Sequence, residues 1–383
     1  HTPGALYTSW LYLPFVIKPL WSPFVDMFRT KRGWIVWLEL LIGAAFALVA
    51  LTLPLDNFFR VTLAVFWLLA FSAATHDIAS DGFYMLGLNQ HEQAAYVGIR
   101  STFFRLSMIT GQGGLVYLAG KFTEVTGNLT LAWSIVFFLL SAMFVSLFVY
   151  HRFMLPRPAN DVANIVDGNI GKTFAVIFAK FLQKKEIIVI LSFLLLYRFA
   201  ESQLVKIAPV FLLDKAENGG LGLSTANVGI VYGTVGVIAL TLGGLLSAYL
   251  ISRDGMKRWL WIMALAINVP NAVYVYLAMA LPSNIWVIGS LVATEQFGYG
   301  FGFTAYILFM IMTAKGEHQT AHYAICTGFM ALGMMLPGMA SGWVQSQMGY
   351  TNFFVWVCVA TIPSFLVTAW IKVDPQFGTK HEP

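Results

Sequence analysis

The chain has 383 residues, of which 58% are hydrophobic and 11% charged, with a mean hydropathy of +0.73. A soluble domain carries about 25% charged residues, so this composition excludes a cytosolic globular enzyme, a disordered chain and a nucleic-acid binder. The formal charge is +5; in so apolar a chain the surplus of Lys and Arg marks loops on the cytoplasmic side rather than an anionic partner.

Eleven runs are long enough to cross a hydrocarbon core of about 30 Å as helices. In chain order they are Ala5–Trp21, Trp34–Leu53, Val61–Phe83, Ala94–Gly120, Leu131–Tyr150, Ile187–Leu213, Ala226–Ile251, Trp259–Leu281, Ile285–Ala314, Ala321–Gln345 and Phe353–Ile371. A membrane β-barrel requires alternating segments of about ten residues, and Ile187–Leu196 shows no alternation. Cys326 and Cys358 lie inside apolar runs, without disulfide or metal-ligand spacing. The chain opens at His1 with no signal pattern and reads as the middle of a longer one.

Placing the amino end outside puts fifteen Lys and Arg in inner loops and the tail, against Arg60, Lys121 and Lys215 outside. This positive-inside bias predicts a cytoplasmic carboxyl end. An odd number of runs starting outside predicts one preceding span and twelve in all. The expected organisation is an amino-terminal bundle over 1–150 (helices 2–6), a cytoplasmic linker over 151–186, a carboxyl-terminal bundle over 187–372 (helices 7–12) and a tail over 373–383. Within the linker, Ile170–Lys185 is apolar with flanking lysines, as in an interfacial helix or an ordinary linker helix.

Two loops echo each other. Ser22–Arg32 reads SPFVDMFRTKR and Ala248–Arg258 reads AYLISRDGMKR. Both resemble the G-x-x-x-D-R-x-G-R-K loop of the major facilitator superfamily, with Arg29 where the first copy would have Gly and Ser252 where the second would have Asp. The resemblance implies two six-helix repeats. A conformational latch of Asp26, Arg29, Lys31, Arg32, Arg253, Lys257 and Arg258 is expected. Gly229–Gly233, Gly298–Gly302 and Gly338–Gly342 have the spacing of close helix contacts.

A charge at mid-membrane costs about 2.5–3.5 kcal/mol on insertion scales, so deep charges point to partners or to a wet cavity. They are His76, Asp77 and Asp81 in one run, Arg100 and Arg105 in the next, then Arg198, Glu201 and Lys206, and finally Glu295. Lys18 lies near a span end, where it can snorkel. Asp77 and Asp81 share a helical face. Matched depth predicts an Asp77–Arg105 pair, and i,i+3 spacing predicts Arg198 with Glu201. Asp77, Asp81, Glu201 and Glu295 are candidate proton carriers. His76 is read as a packing histidine, with no second deep histidine for a metal site. Tyr84, Gln112, Tyr197, Gln203, Gln296 and Tyr299 complete an expected cavity for a polar, sugar-like ligand.

Longer strings are more specific. Ala73–Tyr84 (AATHDIASDGFY) resembles the fourth-helix string of AmpG-type muropeptide permeases, with His76 in place of Gln. Arg105–Gly114 (RLSMITGQGG), Tyr197–Glu201 (YRFAE) and Glu295–Gly302 (EQFGYGFG) resemble that family's segments on helices five, seven and ten. The family is more distantly similar to acetyl-coenzyme A transporters. In such a fold helices one, four, seven and ten line the cavity, and most of the deep charges lie on the last three. The resemblance implies proton-coupled import of an anhydro-muropeptide across a bacterial inner membrane, a process linked in that family to β-lactamase induction. The alternative is another facilitator substrate, an oligosaccharide or coenzyme A ester. The expected partners are a small-molecule substrate, protons and lipid, with no nucleic acid, cofactor or metal, in a monomer. No G-x-S-x-G and no Walker A motif argues for an enzyme or a nucleotide-driven pump.

Overall fold

The computed structural model describes residue 11, residues 13–163 and residues 170–379. Much of the first predicted run lies outside them, as do Lys380 and the side chain of Gln112. The fold is built from α-helices: α1 (Leu13–Ile17), α2 (Ser22–Phe28), α3 (Lys31–Thr52), α4 (Phe58–Gly87), α5 (Gln90–Ile109), α6 (Leu115–Thr126), α7 (Leu129–Met154) and α8 (Ile170–Leu182). They are followed by α9 (Ile187–Leu196), α10 (Phe199–Leu213), α11 (Val237–Asp254), α12 (Met256–Asn268), α13 (Ala272–Ala280), α14 (Ile285–Ala314), α15 (Gln319–Val359) and α16 (Ile362–Trp370).

Eight helical stretches among the described residues are long and apolar enough to cross a membrane. They cover nine predicted runs, because the last stretch, Gln319–Trp370, holds two. Gly349, at φ 71° and ψ 170°, breaks it. Ala94–Gly120 falls below that hydropathy because it carries Arg100, Arg105 and the turn TGQGG. Its helix runs from Gln90 through a wider π-type turn at Thr110–Gly114 to Thr126. Large apolar side chains cover the outside; Trp286 is 84% exposed and Phe153 77%. Such a surface suits lipid, not water.

The chain divides into two compact units that do not follow chain order. One comprises His1–Gly87, Leu106–Leu182 and Ala314–Gly328; the other Leu88–Arg105, Gln183–Thr313 and Phe329–Pro383. The first unit is held by aliphatic and aromatic contacts of α3 with α4 and α7, centred on Ile42, Val49, Val65 and Leu69. Thr30 starts α3 by accepting from Gly33 N at 3.0 Å, and the Asp161 carboxylate takes the Lys31 and Arg32 N–H groups at 2.7 and 3.0 Å. These bonds satisfy donors that a helix start leaves orphaned. The second unit is centred on Phe211, Tyr274, Phe353 and Phe354.

Glycine lets backbones touch in the second unit. A Cβ on Gly300 would collide with the Leu240 carbonyl of α11, and one on Gly298 with the Ala266 carbonyl of α12. One on Gly302 would press on Ile267 and the Met263 carbonyl. Of the three spaced glycine pairs, Gly298–Gly302 therefore packs as its spacing predicts. Gly229 and Gly233, in a π-type segment, and Gly342 face open space, because spacing identifies a smooth face but not what lies against it. Replacing Gly300 with Val should cost at least about 1–3 kcal/mol through forced backbone separation. The check is thermal unfolding in detergent, with Gly233→Ala as a variant expected to leave the midpoint unchanged.

Candidate functional site

The second unit gathers four of the six principal residues. Helix α9 ends at Leu196 and α10 begins at Phe199; Arg198 sits in the break at φ −106° and ψ 19°. Glu201 lies in the first turn of α10, where the helix dipole favours an acid. Arg198 Nε donates to Glu201 Oε2 at 2.8 Å, and its terminal nitrogen donates to the Tyr299 hydroxyl of α14 at 2.8 Å. The same guanidinium lies 4.5 Å from the Phe303 ring centre and 5.4 Å from that of Tyr299. Arg105, from α5, lies 5.6 Å from the Tyr299 ring. Two cations thus share one aromatic ring, an arrangement that favours an anion nearby. Glu201 supplies one carboxylate, but its Oε1 is buried without a hydrogen-bond partner.

Glu295 is different. It is buried on α14 and accepts from Gln296 Nε2 at 2.9 Å and from the Tyr274 hydroxyl at 3.5 Å. Among the described residues no cation lies within salt-bridge distance of it, and no carboxylate lies within that distance of Arg105. Several residues expected in a cavity are engaged in packing instead. The Tyr197 hydroxyl donates to the Gly302 carbonyl at 3.0 Å, and its ring stacks on Tyr306 at 5.4 Å. Gln203 accepts from Trp356 Nε1 at 2.9 Å and donates to the Phe199 carbonyl at 3.2 Å.

The first unit holds Asp77 and Asp81. Matched depth predicted Arg105 as the partner of Asp77, but Lys18 Nζ lies 2.6 Å from its carboxylate. Lys18 does not snorkel; it is buried. Depth along a helix is readable from sequence, whereas which neighbouring helix a side chain meets is not. Asp81 is buried and Tyr84 half-buried on α4. His76 is not without a charged neighbour: Glu39 of α3 lies 3.6 Å from His76 Nε2 and 2.7 Å from Nδ1 of His151, which stands in the last turn of α7. Among the described residues no group of His, Cys, Asp and Glu has the geometry to hold a metal ion. Glu39 is absent from the deep charges drawn from the sequence, although it lies five residues inside the Trp34–Leu53 run.

The two echoing loops are built differently. Asp26 pairs with Lys31 at 2.9 Å and accepts from the Ala321 N–H at the start of α15 at 3.1 Å. Arg29 stacks over Trp37 at 5.8 Å, and Arg32 donates to the Leu155 carbonyl at 3.0 Å. The backbone at Arg29 is extended, with φ −156°, so the glycine of the signature is dispensable there. Gly255 in the second loop, at φ 83°, does need to be glycine. There Asp254, not residue 252, supplies the acid, with Arg253 at 2.8 Å and Arg258 at 3.8 Å; Lys257 is exposed. A cavity of about 240 Å³ in the first unit is lined by Asp26, Lys31, Asn160, Glu317 and Thr320. Beside it the Lys180 ammonium, hydrogen-bonded at 2.6 Å, holds the Glu317 carboxyl below its usual range, and burial lowers His318.

With this geometry in place, the comparisons with known proteins are decisive for the family. The model of the Major Facilitator Superfamily matches residues 1–318. The chain belongs to that superfamily. It is 23% identical to the anhydromuropeptide permease of Escherichia coli K12 over 358 residues, covering 92% of this chain and 69% of the relative. It is 22% identical over 376 residues to a putative transporter, AmpG 4, of Rickettsia conorii, covering 94% and 86%. In fold it is similar to the Escherichia coli fucose:proton symporter, with a TM-score of 0.73 at 12% identity over 96% of this chain and 90% of that one. The protein is a multi-pass membrane transporter of the major facilitator fold.

The buried Arg198–Glu201 pair sets a stability test. Removing one partner strands the other charge, at a cost of about 3–5 kcal/mol. Glu201→Gln should therefore lower the unfolding midpoint in detergent more than the double variant Arg198→Met, Glu201→Leu. Thermal denaturation of the three proteins side by side checks this.

Proposed function

We propose that the protein is a proton-coupled importer of anhydro-muropeptides, working by alternating access in a bacterial inner membrane with residues 1–150 and 187–372 as its two bundles. The observation that carries the reading is that one unit of a facilitator fold holds both an enclosed carboxyl, Glu295, with no cation within salt-bridge distance among the described residues, and a guanidinium, Arg105, with no carboxylate within that distance among them. Arg105 and Arg198 receive the substrate's carboxylates, and Tyr299 holds the two guanidinia in register. A sugar-peptide fits such a site because it offers hydroxyls and amides to polar side chains and carboxylates to the arginines. Glu295 and Glu201 of the second unit, and Asp77 and Asp81 of the first, are assigned to proton binding. Gln296 and His76 are next in sequence to two of these acids, and Tyr84 is assigned to substrate contact. The anhydromuropeptide permease among the relatives supports the substrate class.

Asp26, Arg29, Lys31 and Arg32, with Arg253, Lys257 and Arg258 in the second loop, are assigned to the latch that holds one conformation. The Asp26 carboxylate on the Ala321 N–H supports this, since such a bond breaks when a helix end moves.

Uptake of labelled anhydro-muropeptide into proteoliposomes tests the proposal. Wild type should accumulate label only with an inward proton gradient. Asp77→Asn and Glu295→Gln should each lose accumulation, by tenfold or more on the scale of about 1.4 kcal/mol per decade. Concentrative uptake by both variants would overturn the coupling assignment. Equal uptake of unrelated oligosaccharides would favour the other substrate class.

A further inference from the structure

The first unit contains a titratable cluster built on Glu39 and His151, neither of which substrate transport as proposed uses, with His76 at its edge. Glu39 is 3% exposed and lies between two imidazoles, His151 of α7 at 2.7 Å and His76 of α4 at 3.6 Å. Both histidine side chains are 26% exposed, so the carboxylate is sealed while its neighbours reach accessible space. Glu39 Oε2 and His76 Nε2 are buried without a hydrogen-bond partner. His76 Nδ1 is occupied on its other side by the Ser80 hydroxyl at 3.4 Å.

The surrounding charges are already matched. On α4, Asp77 is taken by Lys18, and Asp81 lies one turn further on. At the start of α3, Lys31 is paired with Asp26, and Arg32 is hydrogen-bonded to the Leu155 carbonyl. On α7, Arg152 lies over the Trp37 ring at 5.9 Å. Among the described residues, His76 and His151 are the only groups within salt-bridge distance of Glu39. A buried carboxyl group avoids an uncompensated charge by holding or sharing a proton, and the two imidazoles are the groups placed to share one with Glu39.

We propose that Glu39, His76 and His151 form a proton-binding site, separate from the Arg198–Glu201–Glu295 group and independent of which substrate is carried. The helix positions give it a direction. His151 is three residues from the end of α7, Glu39 eight from the start of α3, and His76 eleven from the end of α4. The three therefore form a ladder leading inward from the basic helix ends. A proton arriving on the outer ring nitrogen of His151 releases the Nδ1 proton to Glu39, and Glu39 passes a proton to His76 Nε2. One proton moves inward, and the carboxylate ends as it began. Closing the 3.6 Å gap to hydrogen-bond distance draws α4 toward α3, so occupancy of the site also tightens three helices at this end of the unit.

The test needs no substrate. The protein is labelled with carbon-13 histidine, placed in nanodiscs and titrated by NMR, with the two resonances assigned by their loss in His76→Gln and His151→Gln. In wild type the resonances of His76 and His151 should respond to each other's protonation, as those of interacting sites do. Glu39→Gln should abolish the linkage and leave two independent single-site curves. His151→Gln, at a partly exposed position, should reduce His76 to a single step even if Glu39→Gln folds poorly. Independent curves for the two histidines in wild type, or linked steps that persist in Glu39→Gln, would overturn the proposal. Neither outcome depends on whether muropeptide uptake succeeds.

Discussion

Hydrocarbon leaves a charge no solvent, so each ionised group in these helices must find its counterpart inside the protein or border water. That constraint organises both units. Lys18 answers Asp77, two imidazoles flank Glu39, and Arg198 answers Glu201 while also meeting the Tyr299 hydroxyl. Arg105 and Glu295 remain incompletely answered. Among the described residues these two groups can take up a charged ligand without first breaking an ion pair.

Backbone geometry makes those placements possible. The break between α9 and α10 turns Arg198 out of helical register and puts Glu201 at a helix start, so two neighbours in sequence pair while also reaching α14. The glycines at 298, 300 and 302 bring α14 against α11 and α12 at backbone distance. This holds Tyr299 and Glu295 on a helix fixed on two sides. A site built on such a helix keeps its geometry better than one on a loop.

The spans, the two loop copies and the acids of α4, α10 and α14 are legible in the sequence because depth and charge are linear properties. Rotation is not linear. Asp77 carries no mark that its partner is Lys18 rather than Arg105, since its depth in the helix does not say which neighbour lies opposite. Glu39 and His151 are 112 residues apart in sequence, and the α3–α7 packing joins them. Glu39 itself was visible as an acid within a span. Glycine spacing likewise promised three contact faces, of which Gly298–Gly302 is packed on both glycines. In the loops, Gly255 is required by its left-handed backbone, whereas Arg29 is extended, a difference no alignment of the two strings reveals.

The account rests on Glu295 bordering water that a substrate can enter. The most direct measurement is thiol accessibility: Glu295→Cys in a chain whose Cys326 and Cys358 have been replaced by alanine, exposed in proteoliposomes to a membrane-impermeant maleimide. Labelling that is slowed by anhydro-muropeptide is the predicted result. A thiol that reacts only with a lipid-soluble maleimide, whether or not muropeptide is present, would contradict it.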